Sequence, residues 1–296
     1  MADHAHRVIL VSDMHYTTDE RPIPGNQTFP PIRISPAAGD AFGYTQEQKV
    51  SCVCQDILEQ TGPLDAVLVL GDLSIDDYGF RNLPVNYCER FKKQCLDLLP
   101  CPSYVIAGNH DSYPNGIWKN IFGYDRQFSV KIGNAVFIML DTFRQVPASG
   151  ASGSAFTDVD IPFLERELAK YPNETIFLCA HYFREGNEEL SRILKNNDRI
   201  ICLFQGHTHI NGVYRPDSFQ GKCLVDIGGY GYNGECVNGK WVFDRFDAAW
   251  AWGYEVLEWD KSSVRMYHVK PKRVYHAGNG VFDYPGSVEG LLTLSI

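Results

Sequence analysis

Short apolar, β-branched runs alternate with amphipathic segments through the first third of the chain. Arg7 to Ser12 reads as a buried strand. Thr45 and Gln48 fit a capping box, and Val50, Val53, Cys54, Ile57 and Leu58 recur at helical spacing, so 46–60 reads as an amphipathic helix stopped by Gly62 and Pro63. Asp65 to Leu70 is the next strand. Cys88, Phe91, Cys95 and Leu98 or Leu99 mark a helix over about 84–99, and Ser103 to Ala107 is a third strand. Strand, helix, strand, helix, strand implies parallel pairing through right-handed crossovers.

The pattern then changes. Phe128 to Ile132 and Ala135 to Leu140, joined through Gly133-Asn134, read as a hairpin. Ile161, Leu164, Leu168 and Tyr171 put one face of a helix on the core. Thr175 to Ala180 and Ile200 to Phe204 are further buried strands, with a polar helix near 187–196 between them. Trp250, Trp252, Tyr254 and Val256 alternate as a core strand does, and Val264 to Val269 can pair with it. The Pro-rich connection 17–44, the segment 112–126 and the small-residue stretch 148–155 read as loops. With no internal repeat and no linker, the chain reads as one domain, 1–296: a core of about 7–210, with C-terminal strands in 211–296 completing the second sheet.

Composition narrows the partners. The 296 residues are 44% apolar and 21% charged, as in a folded globular protein. A net charge of −9 argues against a nucleic-acid polymer as partner, because phosphate backbones are held mainly by Lys and Arg. No run reaches the ~20 apolar residues of a membrane helix, and Val8 to Val11 is shorter than the core of a signal peptide. The expectation is a cytoplasmic protein with no membrane contact. Nine cysteines with no Cys-x-x-Cys pair read as reduced structural thiols.

The chemistry follows the strands. After them come Asp13-Met14-His15, Gly71-Asp72, Gly108-Asn109-His110-Asp111, His181, and Gly206-His207-Thr208-His209. In an open α/β sheet, ligands bind at the carboxyl ends of strands, so these groups are expected to share one crevice. Oxygen and imidazole donors without a thiolate suit Mn, Fe, Zn, Co or Mg. Asp13, His15, Asp72, Asn109, His181, His207 and His209 are too many ligands for one tetrahedral ion. Two divalent ions sharing Asp72 would use them all.

In order and spacing, D-x-H, G-D, G-N-H-D, a lone His and G-H-x-H resemble the calcineurin-like metallophosphoesterases over residues 13–209. The resemblance implies an α/β fold, two packed mixed β-sheets flanked by helices in an α/β/β/α sandwich. It implies one ion on Asp13, His15, Asp72 and His209, and another on Asp72, Asn109, His181 and His207. Gly71-Asp72-Leu73-Ser74-Ile75 departs from the G-D-x-x-D of many members. The blocks are also unlike G-D-x-V-D-R-G and G-N-H-E of Ser/Thr protein phosphatases, which places the chain nearer the small-molecule phosphodiesterase branch.

The activity so implied is hydrolysis of a small phosphodiester or phosphomonoester. On that resemblance, two cations would acidify a shared water, and a metal-bridging hydroxide would attack the phosphorus. His110 is assigned as general acid or transition-state stabiliser, with Asp111 orienting its ring and raising its pKa. Tyr16, Tyr113, Tyr182, Phe183 and Arg184 are candidates for substrate contact. Asp141 and Asp226 follow or end strands and read either as supports for a ligand or as loop caps; His268 and His276 read as structural. The alternatives are a protein or nucleoside-diphosphate-type phosphohydrolase and a non-catalytic scaffold.

Overall fold

In the computed structural model, β1 (His6–Val11), β2 (Ala66–Leu70) and β3 (Ser103–Ile106) pair in parallel. Unbroken apolar runs suit such strands, because both faces of the sheet are covered. Alternate side chains leave in opposite directions. Ile9, Val11, Val67, Val69 and Val105 pack with Phe91 of α2 (Tyr87–Gln94) and Trp118 of α3 (Asn115–Phe122). Val8, Leu10, Leu68, Leu70 and Ile106 pack inward, against a second sheet. The structure describes residues 5–16, 54–59, 62–74, 86–145, 154–229, 253–270 and 287–295, and the backbone of four further strands, 234–237, 240–243, 273–276 and 280–283.

The second sheet contains β4 (Phe128–Ile132), β5 (Ala135–Leu140), β6 (Thr175–Ala180), β7 (Ile200–Gln205), β8 (Asn211–Tyr214) and β9 (Cys223–Ile227). Its order is β4-β5-β6-β7-β9-β8, with four parallel strands inside and antiparallel strands at both edges. Its outer face lies under α4 (Ile161–Lys170) and α5 (Glu188–Lys195), where Leu164, Leu190 and Leu194 meet Val136, Ile138 and Leu178. Its inner face sends Phe137, Phe177 and Phe204 into the layer shared with the first sheet. This is the expected α/β/β/α arrangement.

The C-terminal strands divide differently from expectation. Among the described C-terminal strands, only β8 and β9 join the second sheet. Further strands Tyr254–Trp259, Ser263–Lys270 and Ser287–Ser295 extend the first, antiparallel beyond β1. In the first sheet β1 has β2 on one side only, leaving a row of backbone groups that the Tyr254–Trp259 strand satisfies. Trp259 then fills the layer between the sheets, its ring 5.5 Å from Phe137 and 6.1 Å from Phe177.

Two helices also differ. The expected helix over 84–99 starts one residue after Asn86, whose side chain caps Glu89 N, and ends at Gln94, followed by a 3₁₀ turn at Leu96–Leu98 that leaves Leu98 exposed. The 112–126 loop contains α3, flanked by Pro114 and by Gly123 at φ +86°. That Pro-before, Gly-after pairing around Trp118 and Phe122 is a helix signal legible in the sequence. Of the expected 46–60 helix, 54–58 is seen, with Cys54 and Ile57 buried. The 17–44 connection, Trp250, Trp252 and the side chain of His276 lie outside the described residues, while Tyr254 is core, as read. The seven cysteines whose side chains are described are free thiols. No described helix is long and apolar enough to cross a membrane.

His268 is buried and faces the buried Glu255 carboxylate, its Nδ1 3.0 Å from Oε1, and Asn211 donates to the same oxygen. Burial pushes Glu255 up to about 7, against the opposing pull of His268 and Asn211. The folded carboxyl therefore keeps its proton longer than the unfolded one. Its stabilising contribution is complete below the ordinary value of 4.5 and is lost as pH rises through about 7. Relative to Glu255→Gln, the wild type is expected to lose about 3 kcal/mol between roughly pH 4 and pH 8 in denaturant titrations. A pH-independent difference would remove this assignment.

Candidate metal centre

All five strand-end blocks converge on one edge. Asp13 and His15 follow β1, Asp72 follows β2, Asn109, His110 and Asp111 follow β3, His181 follows β6, and His207 and His209 follow β7. Backbone geometry marks the same residues. Asp13 (φ 54°), His15 (43°), Asp72 (51°), His207 (68°) and His209 (56°) are all left-handed, and only Asp158 and Gln220 share this among the other described non-glycine residues. Side chains avoid that region because Cβ crowds the backbone, and such conformations cluster where surrounding structure imposes them for function.

The seven predicted ligands form two groups around one carboxylate. Asp72 Oδ2 lies 3.7 Å from His15 Nε2 and 3.2 Å from His181 Nε2. On the first side, His209 Nε2 is 3.2 Å from Asp13 Oδ1 and 3.4 Å from His15 Nε2. On the second, Asn109 Oδ1 sits 3.2 Å from His181 Nε2 and 3.0 Å from His207 Nδ1. Asp13 Oδ1 is buried without a hydrogen-bond partner of its own, turned toward imidazole nitrogens. Carboxylate and amide oxygens and imidazole nitrogens gathered at these separations fit a divalent cation cage.

The surroundings aim these groups. His181 Nδ1 lies 2.7 Å from Leu70 O, which leaves Nε2 for the cluster. His207 N donates to Asp13 Oδ2 at 2.9 Å and His110 N to Asp72 Oδ1 at 2.8 Å. Glycine is required at two turns: a Cβ on Gly108 would sit 2.1 Å from Asp72 Oδ1, and one on Gly71 2.5 Å from His181 Nδ1.

The ionisable groups of the cluster shift one another. Burial pushes the Asp13 and Asp72 carboxyls up, but the neighbouring imidazoles, His209 and His181 for Asp13 and His181 and His110 for Asp72, outweigh it and hold both well below the usual range. Burial pushes His181 down, yet Asp72 and Asp13 lift it to about 10. Burial holds His15 well below its ordinary value, and burial with the His181 charge takes His207 down to about 4. Neutral imidazoles are the form that binds a metal.

Several of these side chains make contacts other than the expected ones. The Asp111 carboxylate does not reach for the His110 ring. It accepts Leu73 N at 3.1 Å, Ser74 N at 3.0 Å and Gly108 N at 2.9 Å, tying the β2 and β3 turns together. His110 presents its ring edge to His15, centroids 5.1 Å apart, with its side chain 26% exposed. Tyr16, Tyr113 and Phe183 are core residues, whereas Tyr182 is half-buried with its ring 5.1 Å from that of His207. Arg184 is paired with Asp158 and lies over Phe156. Asp141 is buried against Arg126, and Asp226, pushed up to about 7 by burial, is bonded by Gln205 and Thr208. Arg126, Phe143 and Phe156 carry no signal in the sequence; Phe143 stands 5.5 Å from the His181 ring.

The sequence pattern described as calcineurin-like phosphoesterase matches residues 6–211, which span all seven candidate ligands together with His110 and Asp111. The chain belongs to that family. Among curated relatives, this calcineurin-like phosphoesterase is 24% identical over 165 residues to "Probable glycerophosphodiester phosphodiesterase GpdQ" of Arcobacter nitrofigilis, covering 49% of this chain and 56% of that one. It is 24% identical over 187 residues to a "Probable cyclic nucleotide phosphodiesterase" of Pseudoalteromonas sp. (strain SM9913), covering 60% and 67%. The chain thus spans little more than half the length of the first relative. Its fold is similar to that of a dimetal phosphatase from Danio rerio, TM-score 0.59, 11% identical, covering 97% and 99% of the two chains. It is also similar to a purple acid phosphatase from yellow lupin, TM-score 0.55, 16% identical, covering 99% and 54%.

Proposed function

We propose that this phosphoesterase hydrolyses small phosphodiesters with two divalent cations, one on Asp13, His15, Asp72 and His209, the other on Asp72, Asn109, His181 and His207. The observation that carries this reading is Asp72 Oδ2, which faces His15 on one side and His181 on the other. When bound, such a pair supplies Lewis-acid polarisation of phosphoryl oxygens and water acidified toward neutral pH. The oxygen and imidazole set suits Mn, Fe, Zn, Co or Mg.

The chain's own residues do the rest. Asp72 and Asp13 bring negative charge to the buried edge, and His15 and His207 offer neutral nitrogens. His110 is partly exposed beside His15, with Nε2 4.0 Å from Asp72 Oδ2, and on this reading it gives a proton to the leaving oxygen. Asp111 acts as a positioning residue by holding the turns that carry Asp72 and Asn109.

Hydrolysis of bis(4-nitrophenyl) phosphate and 4-nitrophenyl phosphate, with Mn²⁺ and with a chelator, tests the proposal. Faster turnover of the diester, lost to chelator and restored by metal, is expected. Absence of turnover with every divalent metal would favour a scaffold; a monoester preference would move the substrate class to phosphomonoesters.

A further inference from the structure

The two halves of the site come from different sheets. Asp13, His15, Asp72, Asn109 and His110 follow strands of the first, and His181, His207 and His209 follow strands of the second. Their relative position therefore depends on whatever joins the sheets at this edge. Arg126 does so with every donor it has. Nε and Nη2 bond the Asp141 carboxylate at 2.6 and 3.4 Å, Nη1 bonds Asp111 O at 3.1 Å and Tyr113 O at 2.6 Å, and Nη2 bonds Phe143 O at 3.0 Å. A guanidinium carries five N–H groups in a rigid fork, and all are spent here. Its carbon lies 5.6 Å from the Trp118 ring centroid, and the side chain is buried, as is that of Asp141.

The acceptors fall on the two sides of the site. Asp111 and Tyr113 belong to the segment after β3 that begins next to His110; Asp141 and Phe143 follow β5, and the Phe143 ring centroid lies 5.5 Å from that of His181 and 5.7 Å from that of His207. The other flank of His110 is held too, since Ser154 N donates to Asn109 O at 2.6 Å.

We infer that Arg126 and Asp141 form a positioning pair that sets His110 against the second-sheet ligands, and so governs proton delivery to the departing oxygen. This rests on the reading of His110 as proton donor. A lysine at 126 keeps the charge but loses the fork, so it cannot hold both segments at once. A displacement of about 1 Å is enough to cost roughly a hundredfold in rate.

The test uses the Mn²⁺-loaded full chain with methyl phenyl phosphate, whose leaving group needs a proton, and methyl 4-nitrophenyl phosphate, whose leaving group does not. In Arg126→Lys and Asp141→Asn, kcat on the phenyl ester is expected to fall roughly 10- to 100-fold, with a several-fold smaller loss on the nitrophenyl ester and little change in KM. His110→Ala should show the same discrimination. Equal losses on both esters in Arg126→Lys and Asp141→Asn, or losses confined to KM, would make the pair a general structural tie and overturn the inference while His110 keeps its role. If His110→Ala itself loses both esters equally, the proton-donor reading fails and takes the inference with it. Should Arg126→Lys not fold, Asp141→Asn gives the same readout, because it weakens the pair from the other side.

Discussion

Asp72→Asn is expected to lower diester turnover by about a thousandfold or more while the protein stays folded. Lewis-acid stabilisation is worth several kcal/mol of barrier, and each 1.36 kcal/mol is a factor of ten. The substitution is informative because it is nearly isosteric. Oδ1 can still accept from His110 N at 2.8 Å, so the β3 turn keeps its anchor. What disappears is the charge on the oxygen that faces both His15 and His181. His181 is lifted to about 10 chiefly by Asp72 once burial has been overcome, so its affinity for a proton should fall as well. Elemental analysis should find fewer than two divalent ions per chain. Two retained ions together with turnover within tenfold of wild type would show that Asp72 is not shared between them.

Asp111→Ala is expected to cost about 3–5 kcal/mol of stability, read from denaturant midpoints. Three backbone N–H groups, those of Leu73, Ser74 and Gly108, end on this one buried carboxylate. Leaving a buried donor unpaired costs about 1–3 kcal/mol each. The loss should be of folding and not only of catalysis, which separates the clamp from a role in orienting the His110 ring. A variant with unchanged stability and a shifted pH profile for turnover would restore the ring-orienting role. Burial and the nearby Asp72 charge push Asp111 up to about 6, and the three amides pull it back. The amides are what make a carboxylate tolerable at this depth.

The candidate site is legible in the sequence because its residues stand at one repeated place. A buried strand shows as an apolar run, and in an α/β sheet the residue that ends the run points to the ligand edge. Asp13, Asp72, Asn109, His181 and His207 could each be located that way without knowledge of the sheet order. Arg126 could not. It lies in a polar turn before β4, and its importance comes from five acceptors on segments that only the fold brings together. Asp111 is legible as part of the same block, but adjacency along the chain says nothing about which way a carboxylate turns, and here it turns to the amides of Leu73, Ser74 and Gly108. The same adjacency points Tyr16, Tyr113 and Phe183 toward substrate, whereas the structure buries them.

The sheet partners of the C-terminal strands were likewise beyond local pattern. Tyr254 to Trp259 is apolar enough to be a strand in either sheet; the unpaired side of β1 and the gap that Trp259 fills beside Phe137 decide which. By itself, then, the chain determined the strand–helix alternation, the donor types and their place at strand ends, since these depend on residue order and on the periods of strand and helix. Only the tertiary structure decided which oxygen faces which nitrogen, the left-handed backbone at five of the candidate ligands, and the tie that joins the two halves, since those arise from contacts between segments as much as 196 residues apart, as between Asp13 and His209.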